Sequence, residues 1–337
     1  MEMLMMNRIK KIPMQLSAVM LGMAALGNLW QNELKILHTV CGILAFILAA
    51  VILLRAAVLR DGLKKDFAEG ATAGINGTFS MGWMILSTYL HPYFPKPAFG
   101  IWITALILHI VLIIWFTDKY VFRFSLSQVY PSWFIVYVGI AVFAVTSPVF
   151  QQQAAGAYIW RFAVAAFPVT AAVMMIRYHQ IPAGEKMKPL ICISAAPASL
   201  CTSGYLQTAE KADLRVLLIL MIPAIVIYIY VLILMMSMIT RPFVPAMATF
   251  TFPLVISASA ARQAVSYLEL QNIAFLTWKP VYLLLQTMVW GMKIMAGIVV
   301  SVIFARFMVN ISSANRLSYN EADVITDSEG LCREDSK

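Results

Sequence analysis

Ten apolar runs follow one another along the chain, parted by short polar stretches. They cover 12–30, 35–58, 70–90, 98–117, 130–148, 154–177, 188–207, 214–240, 241–268 and 280–306. Each is close to the ~20 residues that a helix, rising about 1.5 Å per residue, needs to cross about 30 Å of hydrocarbon. The pattern predicts an all-α integral membrane protein with ten transmembrane helices. The connections are short, so neighbouring spans pair as five helical hairpins. Residues 307–337 break the pattern: they are polar, with acids at Glu321, Asp323, Asp327, Glu329, Glu334 and Asp335, and read as a disordered tail.

Composition agrees with the pattern. The chain of 337 residues is 61% hydrophobic and only 12% charged, with a mean hydropathy of +0.80. So few charges could not cover the surface of a soluble chain of this length. The formal charge of +9 therefore reflects membrane orientation, and nucleic acid is no partner. With the N-terminus inside, the cytoplasmic segments hold Arg8, Lys10, Lys11, Arg55, Arg60, Lys64, Lys65, Lys119, Arg123, Arg177, Lys186, Lys188 and Arg241. The outer segments hold only Lys35, Lys96, Lys211, Arg215 and Lys279. This bias predicts both termini in the cytoplasm of a multi-pass protein in the inner (plasma) membrane. The chain then divides into a cytoplasmic N-terminus (1–11), a transmembrane domain (12–306) and an acidic cytoplasmic tail (307–337). The basic start and apolar run of "NRIKKIPMQLSAVMLGMAALG" belong to a first membrane helix rather than a cleaved leader.

A weak repeat underlies the runs. Odd-numbered spans open with "KIP" at 11–13, "YP" at 130–131, "KP" at 188–189 and "RP" at 241–242. From Pro13 to Pro131 is 118 residues, or two steps of 59; the next steps are 58, to Pro189, and 53, to Pro242. The third span, at "EGATAGING", lacks the proline. Five units of one period suggest five pseudo-equivalent hairpins about an axis, as in many transporters.

The ionisable residues within the runs are one-sided. At about 1.5 Å per residue, Arg161 lies about 10 Å into span six, Arg262 about 30 Å from the cytoplasmic start of span nine, and Lys293 about 20 Å into span ten. No Asp or Glu lies deep in any span. Carboxylates commonly line cation pathways and proton relays, so a basic-only set points to anions. Snorkelling of long cations toward headgroups is the competing account. The cysteines (Cys41, Cys192, Cys201, Cys332) and histidines (His38, His91, His109, His179) show no metal-ligand spacing, so no metal or cofactor is expected. Nor does the chain carry an H-E-x-x-H, paired aspartates or a serine with a base, so it is not read as an enzyme.

Two odd spans carry a proline among small residues: Pro197 in "SAAPAS" and Pro253 ahead of "SASAA". A mid-span proline frees a carbonyl, which is tolerated only beside protein or a wet cavity. Small residues leave room for a solute, or for close helix packing. The pore-lining candidates are Ser194, Pro197, Thr249, Pro253, Ile256 and Ser259. Phe252 precedes Pro253 and lies about 15 Å along the helix from Pro242, near mid-membrane.

Taken in order, "IPMQLSAVMLGMAALG" at 12–27, "KPLICISAAPASLCTSGYL" at 188–206 and "FTFPLVISASAA" at 250–261 resemble the tellurite-resistance/dicarboxylate transporter family, which takes in the plant slow anion channels. The resemblance spans the membrane region. It implies a central pore in each subunit, lined by the odd helices, and a homotrimer of such subunits. It also implies that a phenylalanine of the ninth span plugs the pore, which here is Phe252, with Phe79 of "GTFSMGW" as a second aromatic. With the pore so placed, Pro253 bends the helix at mid-membrane, and the basic set Arg262, Lys293 and Arg161 is read as anion-attracting. The expected function is passage of small inorganic or organic anions through a phenylalanine-gated channel. The alternative is a proton-coupled carrier of C4-dicarboxylate (malate) or of sulfite or tellurite. The absent carboxylate weakens the carrier, though His109 could carry a proton.

Overall fold

The computed structural model describes residues 12–59, 62, 66–181, 185–271 and 279–334, with side chains for all of these except 185–187 and 313–334. Every described element is helical. The elements sort into two layers. The outer layer holds α2 (Lys35–Val58), α5 (Pro95–Phe116, continued as a π turn over Thr117–Val121), α8 (Gln153–Gln180), α10 (Leu214–Met238) and α12 (Lys279–Glu334). The inner layer holds α1 (Leu16–Trp30), the pair α3 (Gly70–Ile75) and α4 (Gly77–Leu90), and the pair α6 (Ser132–Tyr137) and α7 (Ala141–Thr146). It is completed by α9 (Ala196–Thr208) and α11 (Thr251–Leu270), each led in by a 3₁₀ segment, Glu185–Ala195 and Pro245–Phe250.

Burial explains the division. Of the residues in the most apolar stretch of each outer helix, between 17% and 33% are buried, against 83% for 188–208 of the inner layer. Outward faces are apolar and bare, with Ile36, Ile219 and Ile233 mostly exposed, as lipid contact requires. The inner segments close into a ring: α1 packs on α4, α4 on α7, α7 on α9, α9 on α11, and α11 back on α1. Each inner segment also packs on the outer helix that follows it in the chain.

The ring is tight because small residues face each other across it. Ser17 and Thr78 meet at 2.7 Å between α1 and α4, and Ser199 and Ser257 at 2.9 Å between α9 and α11. The Thr251 hydroxyl donates to the Ala18 carbonyl at 3.0 Å, joining α11 to α1. Without a hydrophobic drive between helices in lipid, close packing and such hydrogen bonds supply the association energy. The small residues of "SAAPAS" and "SASAA" thus serve helix contact at Ser199 and Ser257.

Ten transmembrane helices were expected, and the inner layer is where the structure departs from a set of full-length spans. Six described helices are long and apolar enough to cross a membrane. The inner segments are shorter or broken, at Asn76, at Val138–Ile140, and where 3₁₀ gives way to α at Ala195 and Phe250. Pro197 and Pro253 do not bend helices midway. They are the second and third residues of α9 and α11, in first turns where a missing N–H leaves no bond unmade. Side chains serve carbonyls at each break: Thr78 donates to Ile75 (2.7 Å), Ser257 to Ala195 (3.2 Å), and Thr249 to Ala246 (2.7 Å) and Pro189 (3.0 Å). At the break over Val138–Ile140, His109 Nε2 lies 3.0 Å from the Val136 carbonyl.

The end of the bundle nearest both chain termini carries the cations. Arg55 at the end of α2 donates to the Ile12 carbonyl (2.6 Å) and pairs with Asp66 (2.7 Å). Lys119, just past α5, donates to the Phe67 carbonyl at 2.6 Å. Arg306 of α12 holds the carbonyls of Ile239 (2.6 Å) and Arg241 (2.7 Å). Arg177 of α8 sits 5.9 Å from the centre of the Tyr130 ring. In each case a cation late in an outer helix grips the chain leading into the inner segment it packs on. Most cations expected in the N-terminal segment and in the loops at 60–65 and 186 lie outside the described residues. The backbone of α12 continues as helix to Glu334, through the stretch expected to be disordered; side chains beyond residue 312 are not described.

Tight closure makes a prediction. A Cβ on Gly22 would lie 2.5 Å from both Cβ and Oγ1 of Thr251, whereas one on Gly100 of α5 would meet nothing within 4 Å. Gly22→Val should destabilise the protein by about 1–3 kcal/mol through overpacking, read as a lowered unfolding midpoint in detergent. Gly100→Ala should match the parent or exceed it by about 0.5–1 kcal/mol, since alanine is the better helix residue.

Candidate functional site

A narrow cavity of about 30 Å³, room for one or two waters, lies on the axis of the ring. All five inner segments contribute to it: Ala18 and Leu21 of α1; Thr78 and Met81 of α4; Phe134 and Ile135 of α6, with Gly139; Ile193, Ala196, Pro197 and Leu200; and Ala248, Thr249, Phe252 and Pro253. The lining clusters at the breaks, because a break turns backbone and short side chains toward the axis where a regular helix would present a full side chain. The wall is apolar. Its two hydroxyls, Thr78 and Thr249, donate to backbone carbonyls of the inner layer behind the wall, Ile75, Pro189 and Ala246. Among the described lining residues none is titratable.

Of the expected lining residues, the structure brings Phe252, Pro253, Thr249 and Pro197 together here, and Phe252 is only 5% exposed. Phe250, two positions earlier, is fully buried in the surrounding core and does not line the cavity. Ser194, Ile256 and Ser259 lie on the same inner segments but not on the cavity. Phe79 does not line this cavity; it faces Trp83 at 6.3 Å and a lateral hollow. The second aromatic ring on the cavity is that of Phe134. Its signal in the sequence was its position three residues after Pro131, in an odd span, and a ring in an apolar run is read by default as packing.

At the end of the ring away from the termini, two hollows of about 510 and 260 Å³ share Arg262, Asn32 and Ser266. Arg262 is half-buried between them and makes no salt bridge among the described residues. Glu210 and Lys211 line the larger hollow with it, and Glu33 and Lys293 the smaller. Lys293 corrects the reading of an all-basic interior. It is 1% exposed, but its Nζ donates to Glu33 Oε1 at 2.6 Å and lies 4.5 and 4.7 Å from the ring centres of Trp30 and Trp290. Glu33 belongs to the loop between α1 and α2, outside every span, which is why counting acids within spans missed it. Arg161 lies on the exposed face of α8, 5.1 Å from the Tyr158 ring, away from both the cavity and Arg262.

His109 is fully buried, with Nδ1 2.7 Å from the Ser80 hydroxyl and Nε2 on the Val136 carbonyl. It braces α5 against the inner ring at a break and does not line the cavity.

The Lys293–Glu33 pair carries a stability prediction. Partial burial acts to raise the Glu33 carboxyl, but the hydrogen bond and charge of Lys293, helped by Arg262, outweigh it and hold the group below the usual carboxylate range. A carboxyl lowered by folding stabilises fully above its unfolded value, and that contribution is lost as pH falls through the folded one. Glu33→Gln strands a buried ammonium and should cost about 3 kcal/mol. Adding Lys293→Met should restore most of the loss and flatten the acid limb of stability against pH. Unfolding midpoints in detergent between neutral and acid pH read both effects.

No curated protein matches this chain. A family model described as voltage-dependent anion channel matches residues 11–314, which includes every residue of the axial cavity and both hollows around Arg262. This is the family whose motifs the sequence resembles, and the chain belongs to it.

Proposed function

We propose that this protein is a slow-type anion channel whose pore runs along the axis of the inner ring and is shut by Phe252. The observation that carries the reading is the position of that ring: on the axis, among apolar lining from five segments, with a positive approach at Arg262. An anion entering such a constriction sheds water and finds no donor in exchange, and an apolar neck too narrow for a hydrated ion also dewets. In this reading the five inner segments and five outer helices make ten crossings as five hairpins, with both termini in the cytoplasm and the protein in the plasma membrane. Three such subunits form the working homotrimer, and residues 307–337 extend into the cytoplasm. Small inorganic anions are the substrates in first place. Coupled carriage of dicarboxylate or sulfur and tellurium oxyanions is less well supported, because the described lining holds no proton-carrying group and His109 is locked into the wall.

Planar-bilayer recording of purified protein tests the gate. Phe252→Ala should raise conductance at least tenfold, which requires the ion's barrier to fall by only about 1.4 kcal/mol. Reversal potentials in asymmetric chloride should sit at the anion value. Phe250→Ala removes core packing instead, so it should lose about 3–5 kcal/mol of stability and leave the pore shut. Equal currents from well-folded Phe252→Ala and parent would end the gate assignment. Silence in the bilayer together with pH-driven uptake would favour the carrier.

Assembly is tested separately. Mass measurement in mild detergent should give three chains per particle, and monomers or dimers alone would contradict the trimer.

A further inference from the structure

A hollow of about 690 Å³ opens sideways, away from the axis, between α2 and α5. Both helices pack on α4, whose Phe79 helps to form the floor. Leu53, Leu108 and Val111 rim it and are about half exposed on the lipid-facing layer. Its size falls within the ~300–1,000 Å³ of ordinary ligand sites. Apolar walls alone would say nothing about an occupant, but two polar groups do.

The first is Asn76, in the break between α3 and α4. It is 6% exposed, lines the hollow, and neither its amide nitrogen nor its oxygen has a partner. An unpaired buried amide group costs about 1–3 kcal/mol, so an occupant with a hydrogen-bonding group would relieve it. The second is Lys119, at the end nearest the termini. It spends one of its donors on the Phe67 carbonyl and lies 5.0 Å from the Trp115 ring centre, with donors to spare. Asp66 does not cancel it, being paired with Arg55 at 2.7 Å; Asp118 is exposed beside it. Asn76 stands six helical residues beyond Gly70, about 9 Å further along the bundle.

The order along the groove is therefore a cation at the membrane end, an amide somewhat deeper, and apolar walls throughout. We infer that this groove binds one anionic phospholipid of the bilayer, its phosphate at Lys119, an ester carbonyl within reach of Asn76, and an acyl chain between α2 and α5. A zwitterionic lipid would fit the same walls but gains less from the lysine, and water alone would leave the apolar walls unfilled.

Native mass spectrometry of the full chain, released from detergent carrying either phosphatidylglycerol or phosphatidylcholine, reads the site. The expected result is one retained phosphatidylglycerol per chain, bound about fivefold more tightly than phosphatidylcholine, as one interfacial cation contributes. Lys119→Gln should erase that preference while leaving residual binding of both lipids. Asn76→Leu should weaken both without lowering the unfolding midpoint, since it removes an unpaired group. Leu108→Trp, at a half-exposed rim, should block both. Equal retention of the two lipids by the parent overturns the proposal, as does a preference that survives Lys119→Gln. If Leu108→Trp splits the oligomer and leaves lipid retention unchanged, the groove is a seat for a second copy and the proposal fails.

Discussion

At membrane depth no water is on hand for a backbone carbonyl that lacks its helical partner, and this constraint shapes the whole inner layer. A channel needs irregular backbone near its axis, because regular helices present only full side chains to it. Each irregularity releases carbonyls, and each must be met from within the protein. Thr78, Thr249 and Ser257 answer with hydroxyls, and His109 reaches in from the outer layer. The outer helices run unbroken, though α8 and α10 each hold an interior proline, Pro168 and Pro223, and they shield the ring from lipid. Pore, ring and shield are thus consequences of one accounting rule.

Charge is handled by the same rule. Lys293 is buried with a carboxylate at 2.6 Å and a tryptophan ring on two sides, and so adds rigidity rather than potential. Arg262, without a salt bridge among the described residues, faces both open hollows, and Lys211 and Glu210 line one of them with it. Of the three cations expected to attract anions, Arg262 is the one that lines both hollows without a salt bridge among the described residues.

The outer layer was legible from the sequence because a lipid-facing helix needs only an unbroken apolar run of sufficient length. Membership of the family was legible too, through the order of soft motifs. The breaks were not: a switch from 3₁₀ to α geometry leaves no mark in hydropathy, and a proline looks the same in a first turn as in a helix middle. Hence Pro197 and Pro253 were expected to bend helices that they in fact begin. Phe252 could be singled out from the sequence because its motif is local, and it lies on the axial cavity. Phe134, Thr78 and Glu33 were missed because their significance depends on contacts made far along the chain; Glu33 and Lys293 are 260 residues apart. Phe79, singled out by the resemblance of the third span, lines the lateral hollow and not the axial cavity, since a motif match does not say which face of a helix looks inward.

The bond from Thr251 to the Ala18 carbonyl joins residues 233 apart. The cation grips at Arg55, Lys119 and Arg306 each act within one hairpin, so a hairpin can be completed soon after its second helix leaves the ribosome. The ring cannot: α1 must wait in the bilayer, its small-residue face unmatched, until α11 is made. Loop closure over so many residues is slow compared with local pairing. During that interval the molecule is an open arc with no enclosed lumen. Synthesis thus carries its own safeguard, because the axial cavity is enclosed only once the last seam is sealed, and Phe252, the proposed gate one position from Thr251, arrives with that seam.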